Sequence, residues 1–196
     1  MNFHPHKRSR ELERNSDLLL ITGDGRSLPD DLERFLSWDI EHDVMAIGRS
    51  INYYPGKVKH WANVDGEESK WWAEHLRGNP IRHTMGDCAG FDVDWGIENC
   101  ELKPDDILWH GSTSLFSAYI GLEMGYEKII LAGCPLDRNG HWYFGNMPDN
   151  EGPNWKDQSY EAWHEFWCDT RSDRVKSLSG FTAEVLGKPT KEWASA

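Results

Sequence analysis

The chain has 196 residues, with 33 acidic against 21 basic side chains and a formal net charge of −12. A pI near 5.1 and a mean hydropathy of −0.70 speak against the basic face that wrapping nucleic acid requires and against a polybasic membrane contact. No apolar run approaches the ~20 residues of a membrane-spanning helix, so the composition predicts a cytoplasmic protein with no membrane span and a length that suits one domain.

In chain order, residues 1–16 hold His4, His6, Lys7, Arg8, Arg10 and Arg14 and little that is apolar, and read as a flexible basic tail. Leu18-Leu19-Leu20-Ile21 is a continuous apolar run of strand length, the pattern of a strand covered on both faces. The turn Gly23-Asp24-Gly25-Arg26-Ser27 follows it. Ser27 as N-cap, Pro29 in the first turn and the acids Asp30 and Asp31 then start a helix, whose stripe is Leu28, Leu32, Phe35 and Leu36. Strands are predicted at 44–47 and 58–64, a helix at 67–76 and a short strand at 81–85, inside an irregular stretch over 78–104. A strand at 106–110 leads into Gly111-Ser112-Thr113-Ser114, which caps a helix carrying Leu115, Ala118, Tyr119, Leu122 and Met124 and stopping at Gly125. A strand at 128–132 ends at Gly133, and a polar lid covers 138–156. A helix at 159–170 carries Tyr160, Trp163 and Trp167 on one face, and a strand at 175–178 and a helix at 182–186 follow.

Strands alternating with helices define an α/β fold: one domain over 17–196, a mostly parallel sheet with helices on both faces, and an irregular acidic insertion at 86–104. Residues 64–106 carry eleven acids against four bases, so much of the negative charge lies around the insertion. The chain has 11 tryptophans; Trp38, Trp71, Trp72, Trp163 and Trp167 map to or beside helices that would cover the sheet, and Trp142 and Trp155 fall in the lid, where they could touch a ligand. Cys88, Cys100, Cys134 and Cys168 form no C-x-x-C pair, so neither a zinc knuckle nor a redox motif is encoded and reduced thiols are expected.

Ligands of parallel sheets bind at the carboxyl ends of the strands, which selects the loops 23–27, 48–55, 63–67, 110–114 and 133–142. The glycines of the 23–27 turn either let the backbone approach a ligand or simply make a tight strand-to-helix turn. The turn is no dinucleotide fingerprint, because Leu28 stands where the third Gly would fall, and no Walker A loop, because no Gly-Lys-Ser/Thr follows. Gly111-Ser112-Thr113-Ser114 offers a second anion- or hydroxyl-binding point, or only a helix cap. Asp65, Asp137 and His141 lie in loops at the same edge. They could bind a divalent cation through oxygens, supply a general base, or be solvated loop residues. His164 falls mid-helix. Trp71-Trp72 and the stripe from Tyr160 to Trp167 could stack on a base or sugar, but helical spacing favours core packing.

Read together, several stretches resemble a known family. Leu20-Ile21-Thr22-Gly23-Asp24-Gly25-Arg26-Ser27-Leu28 resembles the opening strand and GNGPSL turn of the bacterial family 42 sialyltransferases. Tyr53-Tyr54-Pro55-Gly56-Lys57-Val58-Lys59 is similar to that family's tyrosine-rich linker. Thr113-Ser114 and Gly125-Tyr126-Glu127-Lys128-Ile129-Ile130-Leu131-Ala132-Gly133 resemble its Thr-Ser-Gly helix and the strand that follows. The same skeleton occurs in 6-hydroxymethylpterin diphosphokinases of the archaeal type. The resemblance implies a Rossmann-like sheet holding a nucleotide, with Asp24, Arg49, Asn63, Ser114, Gly133 and Asp137 as ligand contacts. Asp24 replaces the family's first Asn, Gly48-Arg49 replaces a second Asn, and Asn154-Trp155 stand where its catalytic His falls, leaving His141 and His164 as the nearest histidines.

The leading expectation is a nucleotide-dependent, glycosyltransferase-like enzyme with a nucleotide or nucleotide-sugar as partner. In it, Gly23, Asp24, Gly25, Arg26, Ser27, Gly111, Ser112, Thr113 and Ser114 hold the phosphates, Asn63 orients ribose or base, and His141 or His164 is the general base. A second reading is a diphosphokinase-like enzyme using ATP and magnesium, with Asp24, Asp65 and Asp137 associated with the metal. A third is a non-catalytic nucleotide- or protein-binding member of the fold. A homo-oligomer stays open.

Overall fold

In the computed structural model, residues 7–8, 10–64, 78–85, 90–95, 112–137, 157–169 and 172–196 are described. The run Leu18-Leu19-Leu20-Ile21 becomes the middle of the molecule. It forms β2 (Leu18–Thr22), buried at every position, because both faces of the sheet are covered there. The other strands are β1 (Lys7–Arg8), β3 (Asp43–Ile47), β4 (His60–Ala62), β5 (Ile81–Thr84), β6 (Val93–Asp94), β7 (Lys128–Ala132) and β8 (Val175–Ser177). They stand in the order β1-β6-β5-β4-β3-β2-β7-β8. The seven strands from β6 to β8 are all parallel, and β1 adds antiparallel to β6. The fold is therefore an α/β, Rossmann-like one.

The helices are α1 (Leu28–Leu36), α2 (Thr113–Glu123), α3 (Asp157–Asp169), α4 (Gly180–Leu186) and α5 (Lys191–Ser195). Successive strand residues face opposite sides. Leu19, Ile21 and Met45 pack with Leu115, Phe116, Trp167 and Leu186 of α2, α3 and α4. Leu18, Leu20 and Val44 pack with Leu28, Leu32 and Phe35 of α1 and Ala194 of α5. Burying one such side chain contributes about 1.5–3 kcal/mol. No helix among the described residues is long and apolar enough to cross a membrane.

The chain leaves β2 for β3 on one side and leaves β7 for β8 on the other. The carboxyl ends of β2 and β7 thus flank a topological switch point, where open parallel sheets bind ligands.

The structure departs from the sequence expectations in several places. Residues 7–8 and 10–16, read as part of a loose tail, lie against the sheet. β1 pairs Lys7 with Asp94 and Arg8 with Val93. Residues 10–17 then run as a strap across the amino ends of the strands: Arg10 Nη1 donates to the carbonyls of Asn79 and Pro80, and the Asn15 N–H to Asp43 Oδ2. Within the span read as an irregular insertion, residues 93–94 form β6, and α5 follows the last predicted helix. The third predicted strand shortens to β4, and Gly48–Asn52 forms a 3-10 turn after β3. The predicted helix at 67–76, the strand at 106–110 and the lid at 138–156 lie outside the described residues.

Candidate functional site

At the exit of β2 the chain is packed against the exit of β7. Gly23 N–H donates to Ala132 O and Gly25 N–H to Gly133 O, both at 2.8 Å. A Cβ added at Gly23 would lie 2.5 Å from Gly133 O and 2.6 Å from Cys134 Sγ. One added at Gly133, which has φ +66°, would lie 2.6 Å from Gly23 O and 2.7 Å from Leu28 Cβ. The glycines of the turn are thus required by the close approach of two backbone segments more than 100 residues apart.

Asp31 completes this junction. It is buried on α1, and its Oδ2 accepts the Gly133 N–H at 2.9 Å and the Ser179 hydroxyl at 2.6 Å. Ser179 Oγ also lies 2.7 Å from Ser27 Oγ, so Ser27 does not cap α1 through its side chain. The start of α1 has little left for an anion. The Leu28 N–H is bonded to Gly25 O, Pro29 has no N–H, and Asp30 and Asp31 stand in the first turn. Arg26 is exposed on the turn.

At the exit of β3, Asp24 acts as a brace. Its Oδ2 accepts the Arg49 N–H at 3.1 Å and sits 2.5 Å from where a Cβ on Gly48 (φ +53°) would be. Ser50 Oγ, fully buried, donates within reach of Thr22 O at 2.7 Å and Ile47 O at 2.8 Å. Trp61 Nε1 donates to Gly48 O at 3.0 Å. These contacts hold Arg49, itself half-buried, at the carboxyl edge. Asn63 lies on the same edge, one residue past β4, buried, with its N–H on His83 O at 3.1 Å.

The start of α2 differs from that of α1. Ser112 is the N-cap, and its Oγ accepts the Leu115 N–H at 3.4 Å and lies 3.2 Å from Ser114 Oγ. No acid stands in the first turn. α2 leads through Gly125 to the amino end of β7, so Ser112, Thr113 and Ser114 stand at the carboxyl edge. α1 and α2 pack on opposite faces of the sheet, and each begins at its carboxyl edge. Of the two, only α2 begins with hydroxyls and no carboxylate, the electrostatic condition for an anion at a helix start.

His164 on α3 stacks on Phe181, with ring centroids 3.7 Å apart, and its Nε2 lies 3.4 Å from Leu136 O. Phe181 N–H donates to Pro135 O at 2.9 Å. Leu136 adopts φ +49°, a left-handed conformation that a leucine keeps only where its surroundings impose it. His164 therefore braces the loop that carries Asp137. Cys134 is buried, and burial, then Asp31 and Asp24, push its thiol up, which makes it an inert core group rather than a nucleophile.

The structure thus gathers Gly23, Asp24, Gly25, Arg26, Ser27, Arg49, Asn63, Ser112, Thr113, Ser114, Gly133, Asp137 and His164 along one edge. Asp65, Gly111 and His141 lie outside the described residues, as do Trp142 and Trp155. Among the described residues no group of three or more His, Cys, Asp or Glu side chains could hold a metal ion. Asp31 escaped the sequence reading because its place in the first turn suggested only a dipole effect. Yet the spacing Leu28, Asp31, Leu32, Phe35 puts it on the buried face. Comparison of the chain with family models, curated proteins and solved structures finds no match.

Proposed function

We propose that the chain is a nucleotide-dependent transferase of glycosyltransferase-like chemistry, its nucleotide bound at the switch point between β2 and β7. The observation that carries this reading is the hydroxyl-rich, acid-free start of α2 at the carboxyl edge, with Arg49 and Asn63 on the same edge. The resemblance of the 111–133 segment to nucleotide-binding transferases supports it.

The phosphates then belong at Ser112–Ser114, with Arg49 as the nearby cation, rather than on the 23–27 turn. In the transfer, an acceptor hydroxyl oxygen attacks the sugar carbon. Its proton passes to a histidine, and the bond from that carbon to the phosphate oxygen breaks. Charge growing on the leaving phosphate is stabilised by the N–H groups of the α2 start, worth about 0.3–2 kcal/mol. His164 is engaged with Leu136 and Phe181, which makes His141 the proposed base.

A thermal-shift screen of the full chain against CMP, UDP, GDP and ATP, with and without magnesium, tests the reading. A ligand present at 100 times its Kd stabilises by about 2.7 kcal/mol, a rise of several degrees. A magnesium-dependent shift with ATP alone would favour a diphosphokinase-like enzyme. A shift without turnover would favour a non-catalytic binder. No shift with any nucleotide would overturn nucleotide binding altogether.

A further inference from the structure

A buried chain of hydrogen bonds that no step of the proposed reaction uses runs from Trp95 and His83, toward the carboxyl ends of β6 and β5, to Asp43 at the amino end of β3. Trp95 Nε1 is 3.0 Å from His83 Nδ1, and His83 Nε2 is 3.0 Å from His60 Nδ1. His60 Nε2 is 3.1 Å from the Tyr126 hydroxyl, which donates to Asp43 Oδ2 at 2.9 Å. Lys59 Nζ and the Asn15 N–H also donate to that oxygen, both at 2.8 Å. His60 is 1% exposed and His83 0%.

The ends of the chain fix its polarity. An indole N–H only donates and a carboxylate only accepts. His83 must therefore accept at Nδ1 and donate from Nε2. His60 must do the same, and both rings must be neutral. An added proton has no place to go. On His83 it meets the Trp95 N–H. On His60 it meets the His83 N–H, and a tautomer shift of His83 only moves the collision to Trp95.

The surroundings add to this. Among the described residues, Lys59 precedes β4, Arg10 comes from the strap, and Arg14 lies over the Tyr126 ring at 5.8 Å. The Asp43 carboxylate already accepts three donors, and Asp92 lies 3.7 Å from Arg10. Burial, then Lys59, push His60 down to about 3, against a pull from Asp43. Burial, then His60 and Arg10, hold His83 well below its ordinary value. Two of the groups around the pair, Trp95 after β6 and Arg10 after β1, belong to the parts with the shortest ladders. β1 and β6 each pair over two residues, whereas β2 and β7 pair over five.

We propose that His60 and His83 form an acid-sensitive latch. It ties the strap (residues 10–17) and the β5–β6 edge to the central sheet at neutral pH and releases them on acidification. The released parts open before the β2–β3–β7 centre does. His42 provides the contrast. Its Nδ1 bonds Ile40 O, and its Nε2 faces the Tyr54 hydroxyl at 2.7 Å, a group that can either donate or accept, so the wiring around that ring is not fixed in one direction.

Hydrogen exchange read by mass spectrometry on the full chain between pH 7.5 and 4.5, corrected for the intrinsic pH dependence of exchange, tests the latch. Protection of peptides over 10–16, 81–85 and 90–95 is expected to fall below the ordinary histidine range by about tenfold per pH unit for each ring that gains a proton, up to about a hundredfold for both. Peptides over 18–22 and 128–132 should keep theirs. Flat strap protection, or strap and centre failing together, would overturn the proposal. The triple variant His60→Leu, His83→Leu, Trp95→Phe should remove the pH response, and His42→Gln should keep it; the reverse of either contradicts the latch. Imidazole nitrogen NMR of the unmutated protein gives a check that needs no variant to fold. Both rings should be neutral Nε2–H tautomers at pH 7, and a Nδ1–H on either would refute the wiring.

Discussion

Single residues at the switch point act mainly on backbone. Gly133→Ala must place a Cβ at φ +66° and 2.6 Å from Gly23 O, with no flexible side chain to yield. It is expected to cost at least 1–3 kcal/mol, read as a lowered Tm. Asp24→Asn keeps an oxygen for the Arg49 N–H, so it should cost about 1 kcal/mol or less, whereas Asp24→Ala should cost about 1–3 kcal/mol by leaving that donor unsatisfied. A larger loss for Asn than for Ala in urea unfolding would show that the brace is misassigned. Asp31→Ala strands the buried Gly133 N–H, while the Ser179 hydroxyl can still donate to Ser27 Oγ, and about 1–3 kcal/mol should be lost. Gly23 and Gly25 were legible as a tight turn because glycine after a strand is a local signal. That the β7 exit loop fills the space beside them was not legible, since the partner is remote in sequence.

At the scale of elements, the two helix starts at the carboxyl edge look alike in sequence and differ in what the fold leaves them. Both follow a glycine and carry serine, and the sequence marked both as phosphate sites. Only packing reveals that α1's first turn is taken up by Gly25, Asp31 and Ser179. Ser114→Asp separates helix capping from anion binding. An acid in the first turn favours α2 by about 0.3–1 kcal/mol and can accept the Ser112 hydroxyl, so the ligand-free Tm should hold or rise. A nucleotide phosphate would be repelled. Apolar runs announced β2, β3 and β7, because central parallel strands bury both faces. β1 and β6 gave no such signal: two-residue strands of charged and mixed residues, at and next to the edge, have neither length nor period. The tryptophans divide likewise. Trp163 and Trp167 follow the expected helical stripe into the core, but Trp61 and Trp95 are buried on and beside strands, each using its indole N–H on a partner supplied by another segment.

For the whole molecule, the buried titratable groups set where stability is greatest. His60 has an unfolded value of 6.5 and is depressed in the fold. The unfolded chain therefore binds more protons as pH falls below 6.5, and stability drops toward acid. Burial pushes the Asp43 carboxyl up, but Lys59, the Asn15 N–H and Tyr126 outweigh it and hold it below 3.8, so its contribution fails lower still. Burial raises Cys134 above 9.0 and Tyr126 above 10.0. In those cases the folded state keeps protons that the unfolded chain releases, and stability falls on the alkaline side. Urea unfolding should give a plateau between about pH 6.5 and 9, with slopes of about 1.4 kcal/mol per pH unit for each proton exchanged on either side. A maximum near pH 5 would contradict the neutral histidine pair. The most direct measurement on function is calorimetric titration of the full chain and of Ser114→Asp with CMP, UDP, GDP and ATP, with and without magnesium. Saturable binding of at least one nucleotide by the unmutated chain is expected, lost in Ser114→Asp while its ligand-free Tm holds. Equal binding by both proteins, or none by the unmutated chain, would contradict a nucleotide seated at the start of α2.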